Sequence, residues 1–166
     1  MNPFKVNGNF DLKKLIVSFL VTFGVALIGT LASIGAKEYY SSLNLPAFAP
    51  PGAVFAPVWS ILFLLMGIAA YRIWSYGLSY PGVKPALTLY LIQLILNFTW
   101  SILFFGAKNI FGALIEIVFL LIFIIIILAA FSKVDKWAAI LLIPYLLWVG
   151  FATILNASIW LLNTVY

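Results

Sequence analysis

Residues 115–128 read IEIVFLLIFIIIIL, a run in which Glu116 is the one polar side chain. The apolar flanks extend this run to residues 110–131. A helix that crosses a membrane needs roughly 20 apolar residues, because the hydrocarbon is about 30 Å thick and a helix rises about 1.5 Å per residue. The segment therefore predicts a transmembrane helix.

Four further segments meet the same length and polarity requirement. They are residues 15–36, 57–76, 86–105 and 137–162. The chain of 166 residues is 66% hydrophobic and only 8% charged, against about 25% charged in a soluble domain. We therefore predict an all-α integral membrane protein in which residues 1–166 form one domain, a five-transmembrane-helix bundle with a proline- and aromatic-rich first loop.

Histidine and cysteine are both absent from the chain. This excludes disulfides, thiolate nucleophiles, Ser-His-Asp triads and the usual ligands of transition metals and haem iron. We accordingly expect no metal site, no resident cofactor and no certain catalytic residue. The net charge of +5 comes from basic residues scattered singly between apolar runs, which argues for membrane lipid rather than nucleic acid as the partner.

The basic residues predict an orientation. Seven lie on one predicted side, namely Lys5, Lys13, Lys14, Arg72, Lys84, Lys133 and Lys136, and two on the other, Lys37 and Lys108. The positive-inside rule then predicts a cytoplasmic N-terminus. Residues 15–36 resemble a signal peptide in their flanks, but their apolar run is longer than the usual h-region, so we expect a retained helix.

The long connection at residues 39–57 contains four of the eight prolines and four aromatic residues. Proline fixes φ and biases the preceding residue away from helix, so we expect a stiff, extended, non-helical segment that folds over the helix ends. Two interpretations remain open. The loop is either a connector at the membrane surface or a lid over an intramembrane pocket.

Three helical stripes combine aromatic, amide and small residues at i, i+4, i+7 spacing. They are Trp59, Phe63 and Met66; Gln93, Asn97 and Trp100; and Trp148, Ala152, Leu155 and Ile159. Amides in hydrocarbon need hydrogen bonds, so Gln93 and Asn97 should face the interior. The stripes predict either interhelical packing or a pocket with aromatic walls that would suit a flat ligand.

Glu116 also has two interpretations. A carboxyl group inside a membrane is rare and often functional. This one also lies near a helix N-terminus, where the dipole favours a carboxylate, and Lys108 could reach it by snorkelling.

These pieces, in this order, resemble the TspO/MBR family, which includes the tryptophan-rich sensory proteins and the translocator protein, or peripheral-type benzodiazepine receptor. The resemblance rests on Leu45-Pro46 through Pro50-Pro51, Pro57-Val58-Trp59, Met66-Gly67, the run from Gln93 to Ser101, Phe104-Phe105-Gly106, the run from Pro144 to Asn156, Trp160 and Leu162-Asn163. It implies a receptor for tetrapyrroles such as protoporphyrin IX and other hydrophobic small molecules. The implied pocket residues are Pro51, Trp59, Phe63, Asn97, Trp100, Trp148, Ala152 and Leu155.

Tyr39 and Gln93 complete the predicted ligand-binding set. Tyr39 stands where the family often has tryptophan, and Gln93 belongs to the stripe of Asn97. The resemblance also implies a bacterial-type member in a cell membrane and a possible homodimer. Two other functions stay open: a light- and oxygen-dependent porphyrin-degrading enzyme in which Trp59 and Trp148 supply electrons, and a porphyrin or sterol transporter.

Overall fold

The computed structural model describes residues 4–6, 8–32 and 34–164. The elements in chain order are α1 (Leu12–Ala32), α2 (Ala36–Ser42), a 3-10 turn (Gly52–Val54), α3 (Phe55–Ser75), α4 (Val83–Ser101), a π-helical turn (Ile102–Gly106), α5 (Ile110–Val134) and α6 (Lys136–Thr164). Within the described residues, five helices are long and apolar enough to cross a membrane: α1, α3, α4, α5 and α6. The prediction of an all-α bundle of five transmembrane helices is therefore confirmed.

The helices pack around α3 and α5. Helix α3 contacts α1, α4 and α6, while α5 packs against α4 and α6. Helix α1 is the most peripheral and presents large apolar side chains such as Leu20 and Leu27 on the outside of the bundle. Such a surface suits contact with lipid tails, since the outward face of a helix in a bilayer need not be polar.

The contact between α1 and α3 depends on Gly67. A Cβ atom at this position would lie 2.6 Å from Cδ1 of Phe19 on α1. No side-chain atom fits at that distance, so the ring of Phe19 packs directly on the backbone of α3. Small residues allow this kind of close approach between membrane helices.

The start of the long connection differs from the prediction. The first helix ends at Ala32 rather than at residue 36, and Gly35 adopts a left-handed φ of 81°. The chain then forms α2, so Tyr39 and Tyr40 are helical and not extended as predicted. Proline restricts only itself and the residue before it, and the first proline of this segment is Pro46.

The third transmembrane segment also has different limits from those predicted. Helix α4 begins at Val83 because Pro85 falls in its first turn, where an N–H has no intrahelical partner to lose. The regular helix ends at Ser101, and the chain continues as the π-helical turn before α5. Turns of this type are rare and are often found at functional sites.

The start of α1 meets the α3–α4 and α5–α6 connections at one end of the bundle. The hydroxyl group of Tyr71 on α3 donates to the carbonyl oxygen of Phe4 at 2.8 Å and accepts from the amide of Asp11 at 3.2 Å. Nearby, Arg72 pairs with Asp135. The seven basic residues of the predicted cytoplasmic side belong to the segments that meet at this end.

The orientation stays a prediction that a fusion can test. A reporter that is active only in the cytoplasm, fused after Tyr166, is expected to be inactive, because five crossings place the two termini on opposite sides. The same reporter fused before Met1 serves as the control and is expected to be active. The reverse pattern would contradict the charge-based orientation.

Candidate functional site

A small cavity of about 20 Å³ lies between the helices on the side of the long connection. Its walls come from α3, α4, α5 and α6. The lining residues are Phe55, Trp59, Asn97, Trp100, Ile117, Leu120, Trp148, Val149 and Ala152. The site is therefore mostly apolar and aromatic, with one amide, which is the usual composition of a small-molecule pocket.

The aromatic walls support one another through edge and tilted ring contacts. The ring of Phe55 meets Trp148 edge-on at a centroid distance of 5.9 Å. Trp59 packs against Phe63 at 5.5 Å and against Tyr145 at 6.3 Å. Such pairs contribute about 0.5–1.5 kcal/mol each beyond the burial of their area, so the cavity has ordered walls.

The amide of Asn97 belongs to a hydrogen-bonded chain that links α4 to α6. Its Nδ2 donates to the hydroxyl oxygen of Tyr145 at 3.1 Å, and this hydroxyl donates to Oε1 of Gln93 at 2.9 Å. All three side chains are buried. The interhelical bonds give partners to Nδ2 of Asn97 and Oε1 of Gln93, while the buried Nε2 of Gln93 has none among the described residues. The bonds hold Asn97 in place at the wall of the cavity.

A second polar link closes the site toward the long connection. The indole N–H of Trp100 donates to Oδ1 of Asn156 at 3.0 Å, and Nδ2 of Asn156 donates to the carbonyl oxygen of Ile110 at 3.0 Å. Trp100 also stacks on Phe104 of the π-helical turn at 5.0 Å. These contacts join α4, α5 and α6 and fix the plane of one cavity indole.

The indole N–H of Trp148 is a contrasting case. This nitrogen is buried and has no hydrogen-bond partner among the described residues. A buried donor without a partner costs about 1–3 kcal/mol, so an acceptor on a bound molecule would be favoured here.

The long connection packs against the helix ends beside the cavity and is held there by its aromatic residues. Tyr40 meets Phe55 edge-on at 5.4 Å, and Phe48 meets Phe151 of α6 at 6.3 Å. The hydroxyl group of Tyr40 donates to the carbonyl oxygen of Pro50 at 3.2 Å. Burial raises the pKa of Tyr40, and also that of Tyr39, so both hydroxyl groups remain protonated donors at neutral pH.

Asn163, at the end of α6, fastens the same connection. Its Oδ1 accepts from the amide of Asn44 at 3.0 Å, and its Nδ2 donates to the carbonyl oxygen of Asn44 at 3.0 Å. One side-chain amide thus satisfies both backbone groups of a single loop residue. These bonds hold the extended part of the connection against the end of α6.

The structure brings half of the ten predicted ligand-binding residues to the cavity wall. These five are Trp59, Asn97, Trp100, Trp148 and Ala152. The other five lie around the wall. Phe63 packs behind Trp59, and Gln93 lies beside Tyr145 in a separate, tightly packed region.

The remaining three lie toward the long connection. Tyr39 and Leu155 pack in an apolar cluster there, and Pro51 is exposed before the 3-10 turn.

Four wall residues were not predicted from the sequence. Phe55 lies in the first turn of α3, and Val149 follows Trp148 on α6. Ile117 and Leu120 come from α5, whose apolar residues occur on every face. The spacing of Phe55, four residues before Trp59, is the one signal that could have placed it on the same stripe.

The expected contact between Lys108 and Glu116 does not form. The ammonium group of Lys108 lies over the ring of Tyr39, 5.3 Å from its centroid. Lys108 is exposed, whereas Glu116 is buried and has no ion-pair or hydrogen-bond partner among the described residues. The aromatic ring of the long connection provides the basic side chain with a nearer partner at the surface.

Comparisons with known proteins agree with the five-helix fold. The model of the TspO/MBR family matches residues 16–161. The chain is 39% identical to the tryptophan-rich protein TspO of Chlorobaculum tepidum over 92% of this chain and 99% of the relative. It is 36% identical to the tryptophan-rich sensory protein of Cereibacter sphaeroides, over 90% and 91% of the two chains. It is 40% identical to the translocator protein of Sus scrofa, over 74% and 73%. The match over nearly all of the five-helix bundle shows that this chain is a member of the TspO/MBR family.

Proposed function

We propose that this integral membrane protein is a receptor or sensor that binds flat, hydrophobic small molecules, tetrapyrroles above all, between α3, α4, α5 and α6. One observation carries the proposal: three indole rings, those of Trp59, Trp100 and Trp148, border a single intramembrane cavity. Indoles offer large faces for stacking on a conjugated ring and keep a polar N–H for orientation. The names of the relatives, sensory protein and translocator protein, support a role in binding at a membrane.

The chemistry of the wall favours ring faces over metal ligation. The chain has no histidine and no cysteine, so the site offers stacking and hydrogen bonds to a macrocycle rather than axial ligands to its metal. The amide of Asn97 and the free indole N–H of Trp148 are the polar groups at the wall. Metal-free rings should therefore bind at least as well as metallated ones.

The size of the cavity sets a condition for such a ligand. A volume of about 20 Å³ holds one or two water molecules and is far below the range for small-molecule pockets. A macrocycle with side chains therefore needs a wall to open. Phe55 is the candidate, because it lies in the first turn of α3 and its neighbours include Tyr40 of the long connection. Binding would then displace the connection from the helix ends.

The same arrangement supports a second function. An excited porphyrin held against Trp59 and Trp148 would take one electron from an indole and pass it to O2, which becomes superoxide. The ring then returns an electron to the indole radical, and superoxide adds to the oxidised ring, so that one O2 is incorporated and the tryptophan is restored. Such chemistry needs no acid or base residue, which agrees with the residues at the wall. Light- and oxygen-dependent degradation of the bound ring therefore stays a prediction beside the receptor function.

The binding proposal is tested by removing two indoles. In nanodiscs, Trp59→Phe/Trp148→Phe is expected to raise the Kd for protoporphyrin IX about tenfold, because each change reduces the stacked area and removes an N–H donor. The measurement is a titration of the porphyrin absorption band, which does not depend on the number of tryptophans.

The matched control for this experiment is Trp137→Phe/Trp160→Phe. It also removes two indoles, but Trp137 is exposed and Trp160 packs on Phe111 away from the cavity wall. Its Kd should equal that of the unchanged protein. Equal affinities for all three proteins would contradict the assignment of the cavity.

The membrane environment and the oligomeric state are also part of the proposal, and they rest on the family and on the apolar surface of the bundle. Membrane lipid contacts the outward apolar face of α1, where few side chains are buried. We expect a cell membrane of bacterial type, and a homodimer stays a prediction.

A further inference from the structure

Glu116 is a buried carboxyl group that the bundle does not satisfy. It lies in the second turn of α5, and 7% of its surface is exposed. Both carboxyl oxygens are buried, and neither has a hydrogen-bond partner among the described residues. A carboxyl group in hydrocarbon is costly without a partner, so its presence needs an explanation.

Glu116 lies on the buried face of α5 next to the cavity, although its own side chain is not part of the wall. Leu120, one helical turn further along α5, lines the cavity, and so does the adjacent Ile117. Ala113, one turn earlier, belongs to the apolar cluster beneath the long connection. Trp100, a cavity residue on the neighbouring α4, packs against both groups of side chains. Glu116 is therefore flanked by wall residues on one side and by the cluster beneath the connection on the other.

The basic residues of the described chain do not neutralise this carboxyl group. Lys108, the nearest in sequence, lies over Tyr39, and the buried guanidinium group of Arg72 is paired with Asp135 at the opposite end of the bundle. On α4, Nδ2 of Asn97 and Nε1 of Trp100 donate to Tyr145 and Asn156. A partner for Glu116 can thus come from a bound molecule.

Resting on the proposed function, we propose that Glu116 is the group that recognises a basic nitrogen on the ligand, so that the site prefers flat aromatic molecules with an aliphatic amino group over neutral hydrocarbons of the same shape. A free amine enters the hydrocarbon more readily than its ammonium ion. The carboxyl O–H donates to the nitrogen lone pair, and the proton moves across to leave a carboxylate and an ammonium ion. The two charges form in contact, so neither is left unpaired.

Two probes of matched shape test this preference. 1-Naphthylmethylamine and 1-ethylnaphthalene differ only in an amino group in place of a methyl group, and both are much smaller than a tetrapyrrole, so they require less opening of the cavity wall. Binding is measured by equilibrium dialysis against protein in nanodiscs, with empty nanodiscs as the blank. The unchanged protein is expected to bind the amine about tenfold more tightly than the hydrocarbon, after each is corrected for partition into lipid.

Glu116→Gln keeps the size of the side chain and removes the acid. It is expected to abolish the preference for the amine while leaving the Kd of the hydrocarbon within twofold. Glu116→Leu, which removes the buried polar group and so favours folding, should give the same loss. Glu38→Gln changes an exposed carboxylate on α2 and should leave both affinities unchanged.

The outcomes separate this inference from the proposed function. Equal binding of the two probes to the unchanged protein, or a preference that survives in both Glu116 variants, would overturn the role of Glu116 and leave the cavity assignment intact. Binding of neither probe, together with loss of protoporphyrin IX binding, would overturn both.

Discussion

Replacing Asp135 with alanine is expected to lower the free energy of unfolding by about 3–5 kcal/mol, the cost of leaving a buried charge without its partner. Oδ2 of Asp135 lies 2.7 Å from Nη2 of Arg72, and the two side chains are 3% and 6% exposed. Removal of the carboxylate therefore leaves a guanidinium group inside the protein. Unfolding in mixed micelles with increasing dodecyl sulfate, followed by helical circular dichroism, measures the change.

The carboxylate of Asp135 also caps the N-terminus of α6. A second variant separates the contribution of this cap from that of the ion pair. Oδ1 of Asp135 accepts from the backbone amides of Trp137 at 2.8 Å and Ala138 at 3.3 Å. Asp135→Asn retains an oxygen for this cap and removes the charge, so it isolates the ion pair from a capping contribution of about 1 kcal/mol. We expect Asp135→Asn to account for most of the loss in Asp135→Ala.

The control is the other ion pair of the described chain. Asp11 and Lys14 are 3.7 Å apart, and their side chains are 43% and 28% exposed. Solvent screens such a pair, so Asp11→Ala should cost about 1 kcal/mol, mainly through the helix cap that Asp11 provides to the amide of Lys14. A loss as large as that of Asp135→Ala would show that burial is not what makes the Arg72–Asp135 pair important.

The transmembrane helices could be predicted because the bilayer imposes their length. A long apolar run such as residues 115–128 forms a helix in hydrocarbon, because every backbone group must be hydrogen-bonded within the segment. The ends of the helices are less constrained. Helix α2 was missed because residues 36–42 are polar enough for a loop, and the burial of Tyr40 against Phe55 depends on contacts distant in the sequence.

Residues of the candidate site could be predicted on the helices whose inward and outward faces differ in composition. On α4 and α6 an amide or a tryptophan marks the inward stripe, so Asn97, Trp100 and Trp148 could be placed from spacing alone. Helix α5 has no such contrast, because its apolar residues occur on every face, and Ile117 and Leu120 therefore gave no signal. Pairs such as Arg72 and Asp135 are equally invisible, since nothing in either segment specifies the other.

The cavity itself can be filled by one substitution. Ala152→Leu is expected to raise the Kd for protoporphyrin IX by about tenfold to a hundredfold, because Ala152 lines the cavity and a ligand would have to displace the added isobutyl group at a cost of about 1–3 kcal/mol. Titration of the porphyrin absorption band in nanodiscs measures the affinity.

The same substitution should not weaken the fold, and this distinguishes a filled site from a damaged protein. Burial of the added carbon atoms contributes about 0.8 kcal/mol per methylene group and offsets the strain of filling a small cavity, so the free energy of unfolding should change little. Ala129→Leu adds the same group on the exposed face of α5 and should change neither property. If Ala152→Leu binds the porphyrin as well as the unchanged protein does, the ligand does not occupy this cavity, and the contacts of Trp59, Trp100 and Trp148 serve only to pack the helices.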